Sequence, residues 1–281
     1  MKKIMITGCN GQLGRAMNIA LSNHTDIEII NTDVAELDIT NIEKVQSFVK
    51  DVNPQIIVNC AAYTAVDKAE SDFDLAFKIN AIGPRNLSIA ATDIGSKLVH
   101  ISTDYVFDGT ATKPYVEFDI PNPQGAYGKT KLEGEKFVTM FADKFFIFRT
   151  AWLYGDGNNF VKTMLRLSND HDEVRVVSDQ VGSPTSAKEL ANAIVSQMFT
   201  DNYGVFHATC EGDCSWADFA KEIFRLSGKE TKVTPILSKE YNAAAPRPAY
   251  SILDNYMLRM TSDYRFAEWH DAIEEYIKKD L

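Results

Sequence analysis

The sequence predicts an α/β protein in which a doubly wound parallel sheet is joined to a smaller lobe. Short apolar runs alternate with segments of helical periodicity through the first half of the chain, and a glycine cluster follows the first apolar run. Hydrophobic residues make up 45% of the 281 positions, which is enough for a large core. Right-handed crossovers would place successive strands side by side, with ligands at the carboxyl ends of the strands.

The first elements follow from local periodicity. Residues 3–7 form an apolar run typical of a strand, 12–22 have helical spacing, and 27–31 form a second apolar run. Thr40 and Glu43 have the spacing of a capping box, so a helix is expected from there to about Asp51. A buried strand is then expected over 55–59.

The rest of the first half continues this alternation. A helix is expected over about 80–93, with Pro84 near its start where proline is tolerated, and a strand over 97–101. The long loop from 102 to 125 indicates function, because loops of this length are uncommon in compact domains. A helix carrying Tyr127 and Lys131 and a strand over 145–149 complete this half.

The pattern is less regular beyond residue 150. Helices are expected near 159–167, 187–199 and 215–226. We therefore predict a first domain over 1–150 and a smaller α/β lobe over 151–281, with some segments of the lobe returning to the first domain. No flexible linker separates the halves, so they are expected to share an interface.

Composition excludes several functional classes. The net charge of −10 disfavours binding to nucleic acid or to an anionic membrane surface. No apolar stretch approaches the roughly 20 residues that span a bilayer, and none near the N-terminus suits a signal peptide, so a cytoplasmic protein is expected. The spacing of the cysteines and histidines matches neither a disulfide framework nor a zinc site; reduced thiols and no metal are expected at Cys9, Cys60, Cys210 and Cys214.

The glycine cluster between the first strand and the first helix predicts a dinucleotide site. Gly8 permits a tight turn, Gly11 lets the backbone approach a diphosphate, and Gly14 allows close helix packing. Asp33 ends the second strand about 20 residues later, where a carboxylate can accept hydrogen bonds from a ribose. A structural turn beside an ordinary exposed aspartate is the alternative, and the register of strand, loop, helix and acid disfavours it. The fold expected is therefore a Rossmann-type sheet, with dinucleotide binding in 1–150 and substrate binding mainly in 151–281.

Two charged residues near this loop bear on the choice of cofactor. Asp33 favours NADH because its carboxylate would repel a 2′-phosphate. Arg15, immediately after the loop, is a cation that would accommodate NADPH. Either NADH or NADPH is expected, with NADH slightly favoured.

Tyr127 and Lys131 form a candidate acid/base pair. Residues four apart share one face of a helix, with Cβ atoms about 5–6 Å apart. At about 5 Å and an effective dielectric of about 20, the ammonium would favour a phenolate by roughly 3 kcal/mol, so the lysine is expected to lower the pKa of the tyrosine. The same spacing is common on solvated helices. The glycine loop and Ser102-Thr103-Asp104, directly after an apolar strand, favour catalysis.

Further blocks occur in a fixed order along almost the whole chain. Together with the glycine loop, they are 59–70, 102–109, 127–131, 149–152 and 179–185, followed by an Arg-Pro step at 247–248. In these blocks the chain resembles the extended short-chain dehydrogenase/reductases, and among them the dTDP-4-dehydrorhamnose reductase family. The resemblance implies NAD(P)H-dependent reduction of the carbon 4 ketone of dTDP-4-dehydro-L-rhamnose to dTDP-L-rhamnose, in dTDP-rhamnose biosynthesis.

The resemblance also implies a role for individual residues. Tyr127 would be the proton donor, Lys131 would bind the nicotinamide ribose and lower the pKa of the tyrosine, and Thr103 would hydrogen-bond the substrate carbonyl. The remaining cofactor contacts would be Gly8, Gly11, Gln12, Leu13 and Gly14 at the diphosphate, Asp33 at the adenosine ribose, Asp38 and Ile39 at the adenine, and Ala61, Ala62 and Tyr63 at the middle of the cofactor, with Asn80 either a further contact or a structural cap.

Four residues are expected at the sugar nucleotide. Asp104, Tyr105 and Trp152 would face it, and Arg247, held between two prolines, would bind its diphosphate. The alternatives are that Trp152 is a core residue and Arg247 a surface charge.

At two places the chain lacks acidic residues that related proteins carry, and these differences bear on its oligomeric state and on its reaction. Some members of the family dimerise through acidic residues that share magnesium; Ala16 and Lys188 stand where acids would be wanted, so a monomer or homodimer without metal is expected. Related dehydratases carry an Asp-Glu pair where this chain has Asp104-Tyr105. Two alternatives stay open: a reductase or epimerase for a related nucleotide sugar, and a non-catalytic NAD(P)-binding regulatory subunit like that associated with methionine adenosyltransferase. The presence of the candidate catalytic residues disfavours the second.

Overall fold

The computed structural model describes residues 1–279. The first half contains β1 (Lys2–Thr7), α1 (Gln12–Leu21), β2 (Ile27–Thr32), α2 (Ile42–Val52), β3 (Ile56–Asn59), α3 (Val66–Ala69), α4 (Phe73–Phe77), a π-helical turn (Lys78–Ile82), α5 (Gly83–Asp93), β4 (Lys97–Thr103), a 3₁₀ turn (Asp104–Val106), α6 (Ala126–Phe141) and β5 (Phe145–Thr150).

The second half is built from shorter strands and four longer helices. It contains β6 (Leu153–Tyr154), α7 (Phe160–Asp170), β7 (Glu173–Val177), β8 (Val181–Gly182), β9 (Thr185–Ser186), α8 (Ala187–Met198), β10 (Gly204–His207), β11 (Cys214–Ser215), α9 (Trp216–Leu226), β12 (Lys232–Ile236), a 3₁₀ turn (Ser238–Glu240), α10 (Tyr256–Thr261) and α11 (Trp269–Lys279).

A six-stranded parallel sheet organises the molecule, in the order β2-β1-β3-β4-β5-β10. The doubly wound α/β fold predicted from the sequence is confirmed. Strand order reverses between β1 and β3, and in such sheets the ligand crevice opens at that point, outside the carboxyl ends of the strands. Thr7 pairs with Asn59, and Thr103 pairs with Thr150, so the segments that follow these four residues meet at one edge of the sheet.

Alternate strand residues feed two apolar cores, one on each face of the sheet. Ile4, Ile6 and Phe148 belong to the larger core, which also contains residues of α1, α8, α9 and α11. Met5, Ile57 and Leu98 belong to the smaller core, with residues of α2, α5 and α6. Because β10 pairs with β5 and α8 packs against α1, the second half of the chain completes the first half's core.

One helix cap and one strand end lie at residues other than the predicted ones. Asn41, not Thr40, caps α2: its side chain accepts a hydrogen bond from the Lys44 amide at 3.0 Å, while the Thr40 hydroxyl donates to Asp38 at 2.8 Å. The capping box predicted at Thr40 is therefore wrong. β4 extends to Thr103, which places that residue at the end of a strand and not in the following loop.

The loop after β4 is held down by the C-terminal part of the chain. The Tyr115 amide donates to the Ile252 carbonyl at 2.9 Å, and the Asp254 amide donates to the Tyr115 carbonyl at 2.8 Å. Gly109 has φ of +78°, and a Cβ there would lie 2.5 Å from Pro248. The predicted functional loop is thus anchored to the segment at 248–254.

Over residues 1–279, no helix has the length and apolar character needed to cross a membrane. The same part of the chain contains no group of three metal-ligating side chains that could hold an ion. All four cysteines are free thiols; Cys210 and Cys214 are buried.

Candidate active site

The glycine loop packs tightly against the segment that follows β3 and against the start of α1. Gly8 has φ of +64°, and a Cβ on it would lie 2.7 Å from the Ala61 amide nitrogen. A Cβ on Gly14 would lie 2.3 Å from the Gly8 carbonyl oxygen, so both positions require glycine. No side chain caps α1 at Gly11, which leaves the first amides of the helix available to an anion. The loop therefore fits a dinucleotide diphosphate.

A cavity of about 410 Å³ beside this loop contains the residues predicted for the adenosine end. Its walls include Gly8, Gly11, Asp33, Asp38, Ile39, Ala61 and Ala62. The carboxylate of Asp33 accepts hydrogen bonds from the amides of Asn10 at 3.2 Å and Val34 at 2.8 Å. Val34 and Leu75, which are 75% and 46% exposed, also line the cavity and were not predicted. Exposed apolar side chains on either side of a cavity suit a planar base.

No lysine or arginine lines this adenosine cavity within the described part of the chain. Arg15, the cation that the sequence offered for a 2′-phosphate, donates to Asp156 at 2.6 Å. Asp156 also binds Lys162. The charged side chains on the wall of this cavity are therefore the carboxylates of Asp33 and Asp38.

A second cavity, of about 580 Å³, adjoins the first and brings together the predicted catalytic residues. Thr103, at the end of β4, and Tyr127 and Lys131, in the first turns of α6, line it together. It shares Ala61 and Ala62 with the first cavity. Its wall also includes the predicted diphosphate residues Gln12 and Leu13 and the predicted sugar-nucleotide residues Asp104, Tyr105 and Trp152. The two halves of the predicted site are thus continuous.

The pKa of Tyr127 does not follow the prediction from spacing. Burial raises it to about 12, with the Asp104 carboxylate adding to the rise and the Thr103 hydroxyl opposing it. Lys131 donates to the Ile101 carbonyl at 2.5 Å. Burial also lowers the pKa of Lys131 to about 8, against the opposing effect of Glu135. The predicted lowering of the tyrosine pKa is wrong in this structure. A phenol that keeps its proton at neutral pH is nevertheless the form that a proton donor needs.

Thr103 and Asp104 are linked by a hydrogen bond. The Thr103 hydroxyl donates to Asp104 Oδ1 at 2.9 Å and accepts from the Tyr105 amide at 3.2 Å. Asp104 is buried, and burial raises its pKa to about 6 although the hydroxyls of Thr103 and Ser251 oppose the shift. Asp104 Oδ2 is buried and makes no hydrogen bond of normal geometry, although the Ser251 hydroxyl lies near the carboxylate. The Thr103–Asp104 pair is therefore a buried, hydrogen-bonded part of the cavity wall.

Asn80 acts through a neighbour and not as an open cofactor contact. It is fully buried in the π-helical turn, where its Oδ1 accepts from the Tyr63 amide at 2.8 Å. Its Nδ2 donates to the Tyr63 carbonyl and to Thr130 Oγ1, both at 3.1 Å. Asn80 therefore fixes the Tyr63 segment against α6. This is a structural role, but not the helix cap that was the alternative to a cofactor contact.

Trp152 and Arg247 occupy different surroundings. Trp152 lines the catalytic cavity and is stacked on Trp216, a second wall residue that belongs to none of the predicted motifs. Arg247 donates to Asp67 Oδ2 at 2.7 Å and lines a separate hollow of about 380 Å³ with Gln180 and Lys239. The structure therefore does not place Arg247 on the wall of the catalytic cavity.

Comparison with known proteins agrees with this geometry. The family model described as "RmlD substrate binding domain" matches residues 1–281. The crystal structure of a dTDP-4-dehydrorhamnose reductase from Clostridium acetobutylicum is 56% identical, with 98% of each chain covered and a TM-score of 0.96. A reductase of the same name from Bacillus anthracis, in complex with NADP, is 46% identical over 99% of this chain and 100% of that one, with a TM-score of 0.97.

Among curated proteins, a dTDP-4-keto-6-deoxy-D-glucose reductase from Streptomyces niveus is 38% identical over 274 residues, covering 96% of this chain and 95% of the relative. Similarity of this extent over the full length, with the glycine loop and the Thr103, Tyr127 and Lys131 constellation in place, shows the family. The chain belongs to the RmlD substrate binding domain family, the family of the dTDP-4-dehydrorhamnose reductases.

Proposed function

We propose that the chain reduces the carbon 4 ketone of dTDP-4-dehydro-L-rhamnose to dTDP-L-rhamnose, using NADH or NADPH. The observation that carries this proposal is the single cavity in which Thr103, Tyr127 and Lys131 adjoin the glycine loop. The names of the matched reductases support the substrate class and the nicotinamide cofactor.

Each residue of the cavity has its own role in the proposed reaction. When bound, the nicotinamide supplies the hydride. Tyr127 donates its phenolic proton to the oxygen of the ketone as negative charge develops there, a contribution of roughly 10²–10⁴-fold. The Thr103 hydroxyl, which donates to Asp104 Oδ1 in this structure, would turn to donate to the same oxygen, and Lys131 would bind the nicotinamide ribose beside Tyr127. The remaining acceleration comes from orienting ketone and nicotinamide together.

The direct test is turnover with a small panel of dTDP-4-keto sugars and both cofactors. Loss of NADH absorbance, with NMR of the product's configuration at carbon 4, would separate rhamnose formation from reduction of the related glucose-series ketone named in the Streptomyces relative. Absence of oxidation with every member of the panel would favour the non-catalytic regulatory subunit.

Cofactor choice is expected to depend on Asp33. Asp33→Ala should lower the ratio of the NADPH to the NADH dissociation constant by about tenfold, because it removes a charge-assisted hydrogen bond from the ribose and a repulsion from the 2′-phosphate. Fluorescence titration of both cofactors measures the ratio. The matched control is Arg15→Ala, which should leave the ratio unchanged because Arg15 is bound to Asp156. An unaltered ratio in Asp33→Ala would remove Asp33 from the ribose site.

We propose that Arg247 binds the substrate diphosphate from the edge of the site. It is the cation on the proline-stiffened segment next to α3, and its Nη1 has no hydrogen-bond partner. Arg247→Ala should raise KM for the dTDP-sugar about tenfold, with the NADH dissociation constant near that of the wild type. Lys239→Ala is the control, since Lys239 lines the same hollow on the surface, and it should change KM less than about twofold. Impaired NADH affinity with unchanged sugar KM would contradict this assignment.

We also propose the domain division after Thr150 and a cytoplasmic site of action. Trp152 and Arg247 come from beyond that boundary, and β10 returns to the first domain's sheet.

The cytoplasmic site of action is supported by the reduced nicotinamide that the proposed reaction would consume in every turnover. A monomer or homodimer that needs no magnesium is supported by Lys188, which stands where an acid would be wanted and binds Glu275 at 2.7 Å.

A further inference from the structure

Trp152 has an unusual backbone conformation. Its φ is +48°, in the left-handed region that bulky side chains rarely occupy. The two other non-glycine residues with positive φ, within the described chain, are asparagines, which tolerate this region well. Such strain persists only where the surroundings hold it, and it is often stored at functional sites. The residues around Trp152 must therefore hold this conformation.

Two contacts seat the indole of Trp152. Its ring lies parallel to that of Trp216, with centroids 3.5 Å apart and an angle of 8° between the planes. Its edge lies over Gly182, where a Cβ would come within 2.7 Å of ring atoms Cε2 and Nε1. Gly182 pairs with Cys214 between β8 and β11, two residues before Trp216. The short antiparallel pair of β8 and β11 thus brings both Gly182 and Trp216 against the Trp152 ring.

A third aromatic ring packs against this pair of tryptophans. Phe160 packs against Trp216, with ring centroids 4.6 Å apart and planes inclined by 52°. Trp216 therefore contacts both Phe160 and Trp152, and both tryptophans line the cavity that contains Tyr127. Trp216 thus covers one face of the Trp152 ring, and Trp152 itself is a wall residue of this cavity. An aromatic face of this kind offers dispersion contact to a sugar ring or a base.

We propose that Trp216 is a positioning residue for the sugar nucleotide, acting through Trp152: it holds the Trp152 indole in its left-handed conformation as a wall of the substrate cavity. The inference rests on the proposed function for the identity of the ligand. It assigns Trp216 no contact with the reacting atoms.

Trp216→Leu removes the stacking partner. KM for the dTDP-sugar is expected to rise about five- to tenfold, because an aromatic pair stabilises its arrangement beyond simple burial. The NADH dissociation constant should stay within about twofold of the wild type, which also shows that the variant is folded. Trp216→Phe keeps a ring in the stack and should restore most of the affinity.

Gly182→Ala gives an independent test that leaves both tryptophans in place. Its methyl group should displace the Trp152 ring, raise the sugar KM like Trp216→Leu and spare NADH affinity. Two stacked indoles produce an exciton couplet in far-ultraviolet circular dichroism; it should be present in the wild type and in Trp269→Phe and weakened in Gly182→Ala.

The outcomes separate this inference from the proposed function. A wild-type protein that turns over no dTDP-4-keto sugar contradicts the function itself. Given wild-type turnover, sugar KM values within about twofold of the wild type in Trp216→Leu and Gly182→Ala overturn the positioning role, as does a parallel loss of NADH affinity. If Trp216→Leu fails to fold, Gly182→Ala alone decides.

Discussion

Replacing Tyr127 by Phe is expected to lower kcat by at least about 10²-fold while NADH affinity stays near that of the wild type. The change removes one hydroxyl, the proton donor at the ketone oxygen, and keeps the ring that packs edge-on against Tyr105 at a centroid distance of 5.5 Å. Steady-state kinetics at saturating dTDP-sugar and fluorescence titration with NADH measure the two quantities.

Tyr105→Phe is the matched control for this prediction. Both tyrosines line the same cavity, and burial raises the pKa of each, so the control removes a comparable buried phenol. Its loss should act mainly on the sugar KM and lower kcat less than about tenfold. A Tyr127→Phe enzyme with kcat close to the wild type would remove Tyr127 from the role of acid.

Glu135→Ala is expected to destabilise the protein by about 3–5 kcal/mol. Glu135 forms a two-pronged ion pair with Arg149, from Nε to Oε1 at 2.9 Å and from Nη2 to Oε2 at 2.7 Å. Both side chains are only 5% exposed, so removal of the carboxylate leaves a buried guanidinium without its counter-ion. The free energy of unfolding from urea titration measures the effect.

Two further variants define the cause of that loss. Glu133→Ala, on the same helix, breaks an exposed ion pair with Lys136 and should cost less than about 1 kcal/mol. The double variant Glu135→Leu with Arg149→Met removes both charges and should recover much of the stability. Equal losses in Glu135→Ala and Glu133→Ala would show that the buried pair has no special weight.

The sequence predicted the parts of the site that depend on local geometry. The pattern predicts a tight turn at Gly8 and close helix packing at Gly14, and the positive φ of Gly8 and the Cβ contacts at both positions require glycine. Tyr127 and Lys131 share a helical face because four residues make just over one turn, and the strand before them ends at Thr103 beside both. These features follow from spacing along the chain, which a sequence contains.

Residues far apart in the chain meet through the fold, and no local pattern indicates such pairs. Trp216 reaches Trp152 because β11 pairs with β8, and Arg149 finds Glu135 because α6 packs beside β5. Asn80 had a recognisable position, but only the structure shows its side chain fully used by Tyr63 and Thr130.

By itself, the sequence determined the alternation of strands and helices in the first half, the glycine loop and the shared face of the catalytic pair, since periodicity and spacing govern all three. The tertiary structure alone decided the protonation of Tyr127, the seat of Trp152 and the separation of Arg247 from the catalytic cavity. The charge that Lys131 would place near Tyr127 could be estimated from spacing. The loss of water around both groups could not, because desolvation depends on every element that packs over them, and here it dominates both pKa values.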